Sequence, residues 1–238
     1  MTVPETANHL IAPSRLSQVN GRRIIDLVCA GAALLVLSPV FIIVAAVIWL
    51  EAGRPILFSQ LRLGQNGQPF YIYKFRKFRP SCDDKGSPLT LREDDRMTAV
   101  GRILAATKLD ELPQIWNVLR GDMSLVGPRP ESLTFADCFR DGFEQLLDHK
   151  PGVFGPCQVI FRHENRLYPA DAPAADFYRE VLFPAKAKID LAYFPRRTLV
   201  SDLGWIVRAG GVIAAECWAA LRRNVRSDAS TDEKERRP

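Results

Sequence analysis

Asp110 and Glu111 stand side by side in the stretch TKLDELPQIW (107–116), with Pro113 two residues further on. Carboxylates of this kind can do phosphate chemistry. An ionised carboxylate is a nucleophile toward phosphorus, and carboxylates bind magnesium, which bridges phosphate oxygens. Neighbours on an α-helix point ~100° apart, so the two residues suit two tasks at one site better than one shared proton. The same stretch also reads as a helix start. Asp110 suits an N-cap, with Glu111, Leu112 and Pro113 in the first turn, where a missing N–H costs nothing; Thr107 is a competing cap. An aspartate there is held ionised by the helix dipole and free N–H groups, and that geometry also receives phosphate. Taken alone, the doublet reads first as a plain capped helix with acidic first-turn residues.

The rest of the chain narrows the chemistry. The five cysteines, Cys29, Cys82, Cys138, Cys157 and Cys217, are odd in number and none are at metal-ligand spacing. They indicate neither a disulfide framework nor a zinc site and suit a reducing compartment. The three histidines are scattered. A net charge of +5 favours anionic partners: phosphates, nucleotides, acidic head groups or nucleic acid. Lys74 and Arg76, in YKFR, suit a diphosphate, the arginine by bidentate contact. Gly64-x-x-Gly67 is a turn, because no Lys-Ser/Thr pair follows to make a phosphate loop. Nucleic acid is disfavoured: aromatic residues do not interleave with a basic face, and a long apolar block would go unexplained.

That block is the first of the elements that must position the doublet. From Leu27 to Leu50 no residue is charged, and as a helix this stretch would be ~36 Å long, enough to cross a ~30 Å hydrocarbon core. Ser38-Pro39 divides it. Proline cannot donate to the Leu35 carbonyl, for which the Ser38 hydroxyl is a substitute donor. Arg15, Arg22 and Arg23 precede the block, and Arg54, Arg62, Lys74, Arg76, Lys77 and Arg79 follow it. Positive flanks mark the cytoplasmic side, so positive charge on both favours a segment that enters and leaves the membrane on the same side. Residues 55–75 read as a β-hairpin about Asn66-Gly67. Helices are expected over 92–106, 110–120 (closed by Gly121), 132–149 and 174–193 (interrupted near Pro184), with loops at 82–88, 121–131 and 150–159. The stretch 203–223 reads as an amphipathic helix on the domain or in the membrane interface. The domains expected are a flexible 1–20, a membrane segment 21–52, a cytoplasmic catalytic domain 53–225 and a disordered tail 226–238. The fold class is α+β, mainly helical.

Four stretches in order, RRIIDLVCAGAALLVLSP, FSQLRLGQNGQPFYIYKFR, KLDELPQIWNVLRGDMSLVGPRPE and PGVFGPCQV, resemble the bacterial sugar transferases, the monotopic polyprenyl-phosphate phosphoglycosyltransferases. The match runs from about Arg22 to Val159, and more loosely to about Val212. The chain looks like the small, single-domain form. The resemblance implies an enzyme of the bacterial inner membrane, working on its cytoplasmic face. It would move a sugar-1-phosphate from a UDP-sugar to undecaprenyl phosphate, with magnesium and release of UMP, as the initiating step of exopolysaccharide, O-antigen, capsule or glycoprotein glycan assembly. It further implies that Asp110 is the nucleophile and a magnesium ligand, Glu111 its helper, and Ser38-Pro39 the break of a re-entrant helix. Lys74 and Arg76 would line the site, and Pro128, Arg129 and Pro130 would form a rigid loop near the nucleotide. Where relatives carry a base just before the dyad, this chain has Ala105, Ala106 and Lys108, which leaves Lys108 or Arg102 to supply it. KFRKFRP and GPCQV also depart from the common form. A nucleotide-sugar hydrolase on the same scaffold and a catalytically silent scaffold protein are the competing readings. The sugar, the pathway and whether the chain forms a homo-oligomer are not legible.

Overall fold

The computed structural model describes residues 21–79, 89, 94–169, 171–215 and 218. The expectations for 1–20, 82–88 and 226–238 lie outside the described residues, as do residues 92 and 93 of the first expected helix and, apart from Trp218, the end of the last one beyond 215.

The apolar block and its basic prelude form α1, Gly21–Ala52, a helix of 32 residues, ~48 Å long at 1.5 Å per residue. In place of helix-break-helix there is one continuous helical element. The physical reason sits at the proline: the Leu35 carbonyl, deprived of a backbone donor by Pro39, accepts the Ser38 hydroxyl at 2.8 Å. Leu35, Val36, Ile42, Ile43 and Leu50 point outward, each more than half exposed, while Ala30, Val44 and Ile48 are buried. Both ends of α1 are tied to the globular part. Near its start, Arg22 pairs with Asp202 at 3.0 Å, Arg23 donates to the Leu119 carbonyl at 2.7 Å, and Asp26 accepts the Leu125 N–H at 2.9 Å. At its finish, Glu51 accepts the Val100 N–H at 3.1 Å, and Arg76 donates to the Ala52 and Gly53 carbonyls at 2.7 and 2.9 Å.

The hairpin forms as expected. β1 (Leu57–Leu63) runs antiparallel to β2 (Pro69–Phe75), in register from Leu57↔Phe75 to Leu63↔Pro69. Asn66 and Gly67 take the positive φ angles, 56° and 70°, that close it, and these are residues that accept such angles. Next come α2 (Ala99–Thr107), capped by the Thr98 hydroxyl, and α3 (Gln114–Arg120), closed by Gly121 at φ 93°. The expected helix over 110–120 therefore starts later, and Asp110 is not its N-cap. Thr107 is no cap for it either: its hydroxyl donates back to the Ile103 carbonyl at the end of α2.

Two expected loops pair with each other. β3 (Ser124–Val126) runs parallel to β4 (Gly152–Phe154); strands of three residues are too short to show an alternating pattern. Glycines permit the approach, since a Cβ on Gly152 would lie 2.0 Å from the Gly127 nitrogen. The helix expected over 132–149 is two 3₁₀ segments, Leu133–Cys138 and Phe143–Asp148, parted by positive φ at Asp141 and Gly142. Then follow α4 (Pro156–Ile160), α5 (Ala174–Phe177), a widened π turn at Tyr178–Leu182, α6 (Phe183–Tyr193) and α7 (199–215). The π turn sits directly before Pro184, where the interruption is expected. The core gathers Val118, Met123, Phe135, Tyr178 and Phe194, all fully buried, with the Phe135 and Tyr178 rings 4.4 Å apart. Each such side chain contributes about 1.5–3 kcal/mol. The architecture is α+β and mainly helical.

Candidate active site

The doublet lies in a short connection. Lys108 ends α2 in a left-handed conformation (φ 62°), and Leu109–Glu111 make one 3₁₀ turn before Pro113 leads into α3. In that turn successive side chains diverge by about 120°, and the structure uses the divergence. Asp110, 3% exposed, points toward Lys77, Oδ2 to Nζ 3.8 Å, while its Oδ1 is buried without a hydrogen-bond partner among the described residues. Glu111 points toward other cations: its Oε1 is 3.0 Å from Lys74 Nζ and 3.2 Å from Arg129 Nη2.

Three elements converge to make this cage. Lys74 comes from β2, and α3 holds that strand in place through Asn117, which is fully buried. Its Oδ1 accepts the Tyr73 N–H at 3.1 Å and its Nδ2 donates to the Tyr71 carbonyl at 2.7 Å, satisfying the outer edge of β2. Arg129 comes from the loop after β3, which the second sheet holds: Gly127 donates to the Phe154 carbonyl and Gly152 to that of Pro128, at 3.0 and 2.9 Å. Pro128 and Pro130 flank the arginine and are buried, so little freedom is lost on ordering it. Behind this loop Lys186 of α6 pairs with Glu131 at 3.5 Å and Glu164 at 3.0 Å and donates to the Tyr178 hydroxyl at 3.0 Å.

The electrostatics follow from burial and pairing. Burial works against ionising Glu111, but Lys74 and Arg129 outweigh it and hold its carboxyl well below the usual range. Burial, partly offset by Glu111, lowers Lys74 to about 8. Glu111 raises Arg129 against the cost of burial. Lys77 is lowered by burial, with Asp110 opposing. Around two carboxylates stand Lys74, Lys77 and Arg129, so the site carries a positive excess suited to an anion.

Among the residues named from sequence, Asp110, Glu111, Lys74 and Arg129 meet here. Arg76 instead has its hydrogen bonds at the end of α1, and Arg102 is exposed on α2. Lys108 lies beside the dyad as the residue before the turn.

The sequence matches the bacterial sugar transferase family over residues 17–216. The chain belongs to that family. It is 35% identical over 192 residues to a UDP-N-acetylgalactosamine-undecaprenyl-phosphate N-acetylgalactosaminephosphotransferase of Aeromonas hydrophila, covering 77% of this chain and 44% of that protein. It is 35% identical over 180 residues to the UDP-glucose:undecaprenyl-phosphate glucose-1-phosphate transferase of Escherichia coli, covering 67% and 39%. With the exopolysaccharide production protein PSS of Rhizobium leguminosarum bv. phaseoli the identity is 36% over 195 residues, covering 76% and 89%. The chain thus spans less than half of the first two relatives and most of the third.

Within this member of the family, sequence reasoning passed over Lys77, Asn117 and the Glu131–Lys186 pair. Asn117 had a signal, a polar residue on the apolar face of a short helix. Lys77 lay in a basic run where nothing distinguished it from its neighbours. Lys186 had no local signal, because its partners lie 55 and 22 positions away in sequence.

Proposed function

We propose that the chain is a membrane-bound phosphoglycosyltransferase that moves a sugar-1-phosphate from a UDP-sugar to undecaprenyl phosphate and releases UMP. The observation that carries this reading is the divergence of the dyad: Asp110, buried, with a bare Oδ1, beside Glu111 locked between Lys74 and Arg129. The names of the Aeromonas and Escherichia relatives support the substrate class.

In this mechanism an Asp110 oxygen attacks the donor β-phosphorus. The bond from that phosphorus to the bridging oxygen breaks, and UMP leaves with the electron pair. The phosphate of the lipid then attacks the phosphosugar–aspartyl intermediate and frees Asp110. A carboxylate held as firmly ionised as Glu111 is a weak base. Its part is to hold Lys74 and Arg129 where phosphate charge arrives, and electrostatic stabilisation of this kind dominates phosphoryl transfer. Magnesium fits the donor set in one way. Among the described residues no group of three His, Cys, Asp or Glu side chains forms a protein cage, and Glu111 Oε1 is taken by two cations. Asp110 would hold the ion. When bound, the ion neutralises phosphate charge.

We place α1 in the cytoplasmic membrane as a re-entrant segment, a continuous helix that bends at Pro39 rather than breaking there, with the catalytic part on the cytoplasmic face. Both ends of α1 bond to one globular body, through Arg22, Arg23 and Asp26 at the start and Glu51 and the Ala52 carbonyl at the finish. A helix spanning the bilayer would carry those ends to opposite faces. Its exposed apolar side then lies in lipid, and α7, joined to α1 through Arg22–Asp202, lies at the interface.

The test is UMP release by membrane-embedded protein, with a panel of UDP-sugars, undecaprenyl phosphate and magnesium. The transferase releases UMP in step with lipid product for one donor, and Asp110→Asn and chelation each abolish this. Catalytic UMP release without lipid would make the protein a hydrolase, and no release with any donor would make it a scaffold.

A further inference from the structure

Lys77 lies just beyond β2, its Nζ 3.8 Å from Asp110 Oδ2, with the two side chains 18% and 4% exposed. We infer that Lys77 is a positioning residue of the phosphotransfer: it pairs with the Asp110 carboxylate, fixes its orientation and offsets its charge as the donor diphosphate approaches. The inference rests on the reading of Asp110 as nucleophile.

The backbone of Lys77 is built into the fold. Its carbonyl accepts the N–H of Thr98, the residue that caps α2, at 3.0 Å. One turn into α2, Gly101 packs so closely that a Cβ there would lie 2.0 Å from the Lys77 carbonyl oxygen. The next residue, Phe78, bridges to Met97, and its ring centroid lies 5.2 Å from Lys77 Nζ. The start of α2 thus grips Lys77, and its far end leads through Lys108 into Asp110. One nine-residue helix fixes both members of the pair relative to each other.

The charge argument gives this pair its work. A carboxylate approaching a diphosphate is an anion approaching an anion, and repulsion between them is strong in an enclosed site. A cation beside the carboxylate offsets that repulsion. An ammonium so enclosed also needs a counter-charge, which Asp110 supplies; burial lowers Lys77 and Asp110 raises it. Of the two bases proposed from sequence, Arg102 is exposed and Lys108 acts on Glu111. Lys77 is the base whose ion pair falls on Asp110 itself.

The experiment compares wild type, Lys77→Met and Lys77→Arg in membranes, measuring kcat and KM for the donor and the melting temperature of each. Misplacing a nucleophile costs about 100-fold, so Lys77→Met should lose about that much in kcat, with KM for the UDP-sugar changed less than about threefold. Lys77→Arg, which keeps the charge, should recover most of the loss. A wild type that releases no UMP overturns the proposed function itself. An active wild type with Lys77→Met within threefold in kcat overturns only the role of Lys77. So does equal loss in both variants, whether each melts at a lower temperature, which makes Lys77 a packing residue, or neither does. A loss confined to KM also overturns it, since that would make Lys77 a donor-binding residue.

Discussion

Raising the pH through about 8 should discharge Lys74 and with it half of the cation pair on Glu111. The ammonium is enclosed, and burial, only partly offset by Glu111, lowers it from 10.5 to about 8. Two observables then move in opposite directions. The pH dependence of kcat/KM reports the free enzyme, so kcat/KM should fall about tenfold per unit above the Lys74 pKa. Stability should rise over the same interval. The folded-state pKa lies below the unfolded one, so between about 8 and 10.5 the unfolded chain binds more protons, and each unit of pH favours folding by up to about 1.4 kcal/mol. Across the whole interval the gain from this one group is about 3 kcal/mol. UMP release and thermal melts across that range, on wild type, Lys74→Arg and Lys74→Met, separate Lys74 from other groups. Lys74→Arg keeps its charge throughout and should lose the alkaline limb. Lys74→Met should lack the wild-type rise in stability. An alkaline limb shared by wild type and Lys74→Arg would refute the reasoning.

Three further outcomes follow, two of them from the supporting contacts. Lys186→Met removes the cation between Glu131 and Glu164 and should cost about 3–5 kcal/mol in thermal or denaturant unfolding, much of it recovered when Glu131→Gln is added. Gly101→Ala would press a methyl group against the Lys77 carbonyl and should cost about 1–3 kcal/mol together with turnover. Gly31→Ala, whose added Cβ meets nothing within 4 Å among the described residues, should be neutral or slightly stabilising in the same melts.

Much of the architecture was legible in the chain. The uncharged run from Leu27 to Leu50, the Asn-Gly turn and Gly121 after α3 each carry their cause locally: length of apolar surface, tolerance of positive φ, a helix stop. The Ser38 hydroxyl was legible as the donor that replaces Pro39's missing N–H, and there it keeps α1 continuous. What pattern reading placed wrongly shares a different cause. β3 and β4 are too short for a period and exist only because each completes the other. The helical pattern over 132–149 yields to positive φ at Asp141 and Gly142.

The site divides along the same line. Residue type made Asp110 and Glu111 candidates for phosphate chemistry and Lys74 a partner for a diphosphate, and the resemblance to the sugar transferases made the doublet a catalytic dyad and added the Arg129 loop. Sequence could not say which cation meets which carboxylate. A 3₁₀ turn in place of a helix N-terminus turns Asp110 toward Lys77 and Glu111 toward Lys74 and Arg129. Arg76, two positions from Lys74, is drawn to the carbonyls that close α1. Those pairings follow from how β2, the α2–α3 connection and the loop after β3 pack together. Charge acts through distance and burial, and both are set only when distant segments of the chain meet.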